Sequence, residues 1–179
     1  TEKKAGSASL EIALAQALPR GGKMDFVIQK ATELGVSSIY PFTSSRTVPL
    51  PHPTYRKNRQ ARWNRIAMEA CKQCGRISVP VVHDVAPLDE VLKAPGPEIK
   101  KIVLWEKAPT AWGEIFEDRD PLNRFFILVG PEGGLTEREI DMCRAAGFIP
   151  LGLGRRILRT ETAALCLLAI LQYQLGDIR

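Results

Sequence analysis

The chain has 179 residues and lacks the marks of several protein classes. Its longest apolar run, Ala163 to Leu171, is well short of the roughly 20 residues a helix needs to span a bilayer. The opening TEKKAGSAS has no apolar core of the kind a secretory signal carries. Of the four cysteines, Cys71 and Cys74 have CxxC spacing, but they fall inside a helical pattern. No second CxxC and no nearby histidine complete a zinc set, and Cys143 and Cys166 stand apart. Free thiols in a reducing, cytoplasmic setting are the expectation. The only two histidines, His52 and His83, are isolated and take no role. Neither an internal repeat nor a low-complexity tract interrupts the chain. What remains is ordinary globular usage, 45% hydrophobic and 25% charged, at a length that suits one domain.

Against that background one stretch stands out, Leu128 to Asp141, LVGPEGGLTEREID. An apolar run ends in a Gly-Pro-Glu-Gly-Gly loop, and Thr136 and Glu139 have the spacing of a capping box. Strand, glycine-rich loop and helix in that order place a nucleotide-like ligand at the carboxyl end of a sheet. The loop is not a P-loop, because Leu135 follows Gly134 where a lysine would reach phosphate. Nor do Gly130, Gly133 and Gly134 have dinucleotide spacing. On composition alone the glycines are equally well read as a simple turn.

Elsewhere strands alternate with helices. Strands are expected at 9–18, 37–42, 78–85, 101–106, 124–130 and 148–154. Helices are expected at 23–36, 56–76, 87–94, 110–118, 136–147 and 160–176, with Gly35 and Gly75 as C-terminal stops. Residues 44–55 read as a proline-rich loop. This alternation argues an α/β fold with a mainly parallel sheet covered by helices on both faces. The last helix is apolar nearly all round, which means burial on every side or a subunit interface, with Leu168 and Leu171 as candidate interface residues.

Charge is concentrated. Between Arg46 and Arg76 stand eight basic residues and one acid, Glu69, a net +7 that leaves −2 for the rest of a +5 chain. One basic face on a nearly neutral body is the footprint of a polyanion binder, and nucleic acid is the expected partner.

KATELGV at 30–36, EACKQCGR at 69–76, VGPEGGLTEREID at 129–141 and LGLGRRILRTETAALCLLAIL at 151–171 together resemble the RsmE family of ribosomal RNA uracil-N3 methyltransferases, in the SPOUT superfamily. The last two stretches are the most specific, and the resemblance runs from Leu10 onward. It implies a knotted methyltransferase domain over 10–179, with the C-terminal segment threaded into a trefoil knot. It also implies S-adenosylmethionine as donor, a homodimer, and a uridine of 16S ribosomal RNA in the small subunit as target. Family members usually carry an N-terminal RNA-binding domain of PUA type. Nothing before Leu10 resembles one, so 1–9 is expected to be disordered or a linker remnant. Cys74 stands where a serine is common.

The resemblance places the donor between the loop near Leu104 and Glu106, the loop at 128–133 and the loop at 151–162, where Thr162 is included. Glycine permits close backbone approach at Gly130, Gly133 and Gly154. Leu128, Leu151, Leu153, Ile157 and Leu158 are expected to form an apolar slot for the adenine ring. Methylation at uracil N3 needs a proton removed and negative charge stabilised on the ring carbonyls. Arg159, then Arg156, are the candidates for the charge. Glu161 is the candidate base, although a first-turn acid is favoured by the helix dipole in any case. Glu132 either touches the donor or caps loop amides. RNA contacts are expected from Arg46, Arg59, Arg62, Arg65, Gln73 and Arg76, with Glu69, Gln73 and Arg76 on one helical face. The alternative is a knotted RNA-binding module without catalysis.

Overall fold

The computed structural model describes residues 10–47, 53–110, 112–116 and 123–178, without the side chains of residues 53–57 and 114. The expected remnant at 1–9, residues 48–52 of the proline-rich stretch with His52, and the side chains of Arg56 and Lys57 lie outside the described residues.

The elements follow in the expected alternation. They are β1 (Glu11–Ala17), α1 (Lys23–Glu33), β2 (Ser38–Thr43), α2 (Pro53–Cys74), β3 (Val81–Val82), β4 (Ala86–Pro87), α3 (Leu88–Val91), β5 (Lys100–Leu104), α4 (Gly113–Phe116), β6 (Arg124–Val129), α5 (Glu137–Ala145), β7 (Ile149–Leu151) and α6 (Thr160–Leu175). The strands form one sheet in the order β3-β2-β1-β6-β5-β7, with β4 also on β2, and every pairing is parallel.

Alternation along the strands sorts side chains into two cores. Ile12 and Leu14 of β1, Ile39 of β2 and Ile127 of β6 face one side, where Val27 and Ile28 of α1, Trp63 and Ala67 of α2, and Leu167, Leu168 and Leu171 of α6 cover them. Ala15, Ala17, Phe42, Phe126 and Leu128 face the other, under Leu88 and Val91 of α3 and Ile140 and Cys143 of α5.

Four local readings change. α2 starts at Pro53, inside the stretch read as loop, because proline suits a first helical turn where no donor is needed. The strand expected at 78–85 is reduced to the two residues of β3, beside Pro80, and β4 follows separately at Ala86–Pro87; neither proline has an N–H for the ladder. β7 ends at Leu151, because Gly152 turns away to donate to the Pro109 carbonyl at 3.0 Å. A Cβ at Gly152 would strike the Ala108 carbonyl oxygen, so only glycine lets the chain pass here. Leu168 and Leu171 are wholly buried within the chain and are core residues, not interface ones. The side of α6 left more accessible carries Leu165, Ile170 and the exposed Tyr173.

Arg76 also departs from its expected role. Its Nη1 donates to the carbonyls of Thr32 at 2.7 Å and Val36 at 2.9 Å, at the C-terminal end of α1. The Thr32 carbonyl also accepts from the Gly35 amide at 3.1 Å, so the guanidinium is a second donor there, and it binds the Val36 carbonyl just beyond the helix end.

Candidate active site

At the carboxyl ends of β5, β6 and β7 three loops enclose a cavity of about 430 Å³. Leu104, Trp105 and Glu106 line it from the β5 loop, and Val129, Gly130, Glu132, Gly133 and Gly134 from the glycine loop. Leu151, Leu153, Gly154, Arg156, Ile157, Leu158, Arg159, Thr160 and Ala163 complete the wall.

The glycine loop is shaped from within. Gly134 donates to the Pro131 carbonyl at 2.8 Å and takes a left-handed φ of 69°. Thr136 caps α5, its side chain accepting from the Glu139 amide while Glu139 accepts from the Thr136 amide, as the spacing predicted. Glu139 also accepts from the Ser45 amide at 2.8 Å, so the loop after β2 is fastened to the same helix start. Arg46 in that loop donates to the Gly133 carbonyl. It is exposed, but it rests on the cavity wall and not on a separate RNA face.

Of the twelve residues expected at the donor, ten line the cavity: Leu104, Glu106, Gly130, Glu132, Gly133, Leu151, Leu153, Gly154, Ile157 and Leu158. Leu128 does not. It is fully buried on the opposite side of β6, and its neighbour Val129 takes the place. Thr162 does not either, because it faces solvent on α6, and Thr160 lines the cavity in its stead. Ile157 is 86% exposed, so it belongs to the rim and not to an enclosed slot.

Arg156 and Arg159 line the cavity and are exposed, and among the described residues neither forms an ion pair. Glu161 lies outside the lining. Its Oε1 is 3.1 Å from Lys23 Nζ, and its side chain is 13% exposed. Burial pushes its pKa up, but a backbone hydrogen bond, the Lys23 ammonium and the Arg159 charge outweigh burial and hold it below its ordinary value. Such a carboxylate is a poor proton acceptor. Glu132 lines the cavity and accepts from the Arg20 amide at 2.9 Å. Trp105, Val129, Pro131, Gly134, Leu135, Thr160 and Ala163 were not among the expected donor residues, nor was Lys23; TET at 160–162 held one usable signal, two threonines of which one faces in.

The wall suits S-adenosylmethionine by its donor set. Aliphatic side chains flank a flat ring, glycine backbone offers polar edges, and both acids and arginines are present for a zwitterionic tail. At Gly154, with φ of 100°, a Cβ would meet nothing within 4 Å, so the backbone there borders open space. Among the described residues no group of acids, cysteines or histidines suits a metal ion.

On α2, Arg59, Arg65 and Gln73 are exposed, as expected of an RNA face. Arg62 is exposed too, but it donates to Asp25 of α1 at 2.6 Å and 2.9 Å, and Trp63 donates to the other oxygen of the same carboxylate. Among the described residues no helix is long and apolar enough to cross a membrane.

Residues 7–172 match the RNA methyltransferase domain family. The ribosomal RNA small subunit methyltransferase E of Bacillus subtilis is 36% identical over 175 residues, covering 95% of this chain and 68% of that protein. The protein of the same name from Buchnera aphidicola of Schizaphis graminum is 34% identical, over 94% and 68%. The crystal structure of the Neisseria gonorrhoeae ribosomal RNA small subunit methyltransferase E bound to S-adenosyl methionine superposes with a TM-score of 0.85 at 37% identity, covering 99% of this chain and 72% of that one. Fold, cavity and sequence agree, and the chain belongs to the ribosomal RNA small subunit methyltransferase E family.

Proposed function

We propose that the chain methylates N3 of a uridine in small-subunit, 16S ribosomal RNA, with S-adenosylmethionine bound in the three-loop cavity. The observation that carries this reading is the cavity itself, where the GPEGG and RILRTETA stretches meet. The donor supplies an electrophilic methyl group. The chain's part is to hold that group in line with N3 and to stabilise the charge that spreads over the uracil carbonyls. Arg159 and Arg156 suit this task, since guanidinium stays charged and donates twice. An oxyanion stabilised in this way makes N3 more acidic, and the proton leaves to water at the open mouth. Glu161 is better read as an anchored first-turn acid than as the base.

RNA approaches across the exposed arginines of α2, with Arg59 and Arg65 on phosphate, Gln73 free to reach a base edge, and Arg46 at the rim. Phosphate contacts position without specifying sequence. A homodimer forms along the accessible side of α6, and the setting is cytoplasmic. The test is transfer of a labelled methyl group to small ribosomal subunits that lack the modification, followed by digestion to nucleosides. The label is expected in 3-methyluridine. RNA binding with no transfer at any enzyme concentration would favour a non-catalytic binder, and label in another nucleoside would contradict the N3 assignment.

A further inference from the structure

The turn between β1 and α1 carries none of the residues expected to touch donor or RNA, yet it is tied to two walls of the cavity. Lys23 Nζ stands 3.1 Å from Glu161 Oε1 and 3.7 Å from Glu132 Oε1. Glu132 belongs to the glycine loop and lines the cavity. Glu161 follows Thr160, a lining residue, in the first turn of α6. A single ammonium thus stands between two carboxylates carried by different walls. The Arg20 amide adds a second fastening on Glu132. Among the described residues Glu161 Oε2 is buried without a hydrogen-bond partner. Besides Lys23, a backbone hydrogen bond and the Arg159 charge favour the Glu161 carboxylate. Asp25, also in the first turn of α1, is occupied by Arg62 and Trp63.

We propose that Lys23 is a positioning residue that clasps the glycine loop to the start of α6 and so sets the donor site's geometry. The inference rests on the donor reading given above. Lys23 does not line the cavity, and it acts through Glu132 and through the segment that carries Thr160. Without it, the two carboxylates on adjoining walls repel each other, and the loop moves off α6.

The experiment is calorimetric titration with S-adenosylmethionine at pH 7.5, with thermal melts to verify the fold. K23M should bind about tenfold more weakly than wild type, in keeping with coupling within one ionic cluster. K23R, which keeps the charge, should bind like wild type. The double variant K23M/E161Q, which leaves the cavity-lining Glu132 in place and removes the repulsion, should regain most of the affinity. A Lys23 that served only to pack its stem would not be rescued by the amide, and a double variant as weak as K23M overturns the proposal. So does K23M with wild-type affinity. If K23M does not fold, K23Q, which keeps a polar side chain without the charge, should weaken binding to the same degree, and no change there is equally fatal. Absence of heat from wild type would instead overturn the donor reading itself.

Discussion

Gln16 and Thr160, 144 positions apart in the chain, share a buried hydrogen bond of 2.8 Å. The Thr160 hydroxyl passes it on, donating to the Gly130 carbonyl at 2.6 Å. The end of β1, the glycine loop and the start of α6 are therefore fixed on one another at the cavity floor. Thr160→Val keeps the shape and removes the hydroxyl. It strands a fully buried amide donor and a loop carbonyl, at about 1–3 kcal/mol for an unsatisfied buried group. Urea denaturation should show a loss in that range, and donor affinity should fall with it, while Thr160→Ser should preserve both. An unchanged midpoint in Thr160→Val would deny this bond its role.

Arg76 and the arginines of α2 should separate cleanly. Arg76→Met removes two charge-assisted bonds to carbonyls at and just beyond the end of α1. A loss of about 1.5–3 kcal/mol in denaturant is expected, with RNA affinity little altered. Larger damage to RNA binding than to stability would return Arg76 to the RNA face.

Arg59 and Arg65 are exposed and have no ion-pair partner among the described residues, whereas Arg62 is held by Asp25. Replacing Arg59 and Arg65 together with alanine should flatten the dependence of RNA affinity on salt, since fewer counterions are released. Filter binding from low to high salt measures the slope. Donor affinity in the same variant should stay as in wild type; its loss would contradict the division between the two surfaces.

The two sides of α6 give opposite outcomes. Tyr173→Glu, on the accessible side, should leave a folded monomer by light scattering. Leu168→Asp should unfold the chain, because an unpaired charge would sit in the core. A folded Leu168→Asp, or a Tyr173→Glu that remains dimeric, would count against this placement of the interface.

Glu139 makes stability depend on acid. Burial raises its pKa, but hydrogen bonds from the Ser45 and Thr136 amides and the Thr136 hydroxyl outweigh burial, and the net shift is downward from 4.5. A folded-state pKa below the unfolded one contributes stability that is present above the unfolded value and disappears as pH falls through the folded one. The thermal midpoint of wild type should therefore drop more steeply below pH 4.5 than that of Glu139→Gln, which begins lower at pH 7. Parallel curves would remove Glu139 from that account.

Local chemistry was readable before the structure, and long-range pairing was not. The Thr136–Glu139 box lies within one helical turn, so its spacing alone declares it. Lys23 and Glu161 come from opposite ends of the chain, and no periodicity connects them. In β6 both faces are buried, so Leu128 and Val129 look alike in the sequence, and only the sheet decides which one borders the cavity. Thr160 and Thr162 differ by the phase of α6, which the helix's near-uniform apolar character conceals. Proline density hid the first turn of α2, because proline is as welcome there as in a loop.

The central claim is that the cavity between the three loops holds S-adenosylmethionine. Calorimetric titration of the wild-type chain and of Gly133→Val, with both S-adenosylmethionine and its demethylated product, tests it most directly. At Gly133 an added Cβ would press on the Arg46 side chain at 3.3 Å, and a branched residue would crowd the loop further. The account predicts saturable binding of both ligands at one site per chain in wild type and loss of both in a folded Gly133→Val. No binding by wild type, or equal affinity in the variant, would contradict it.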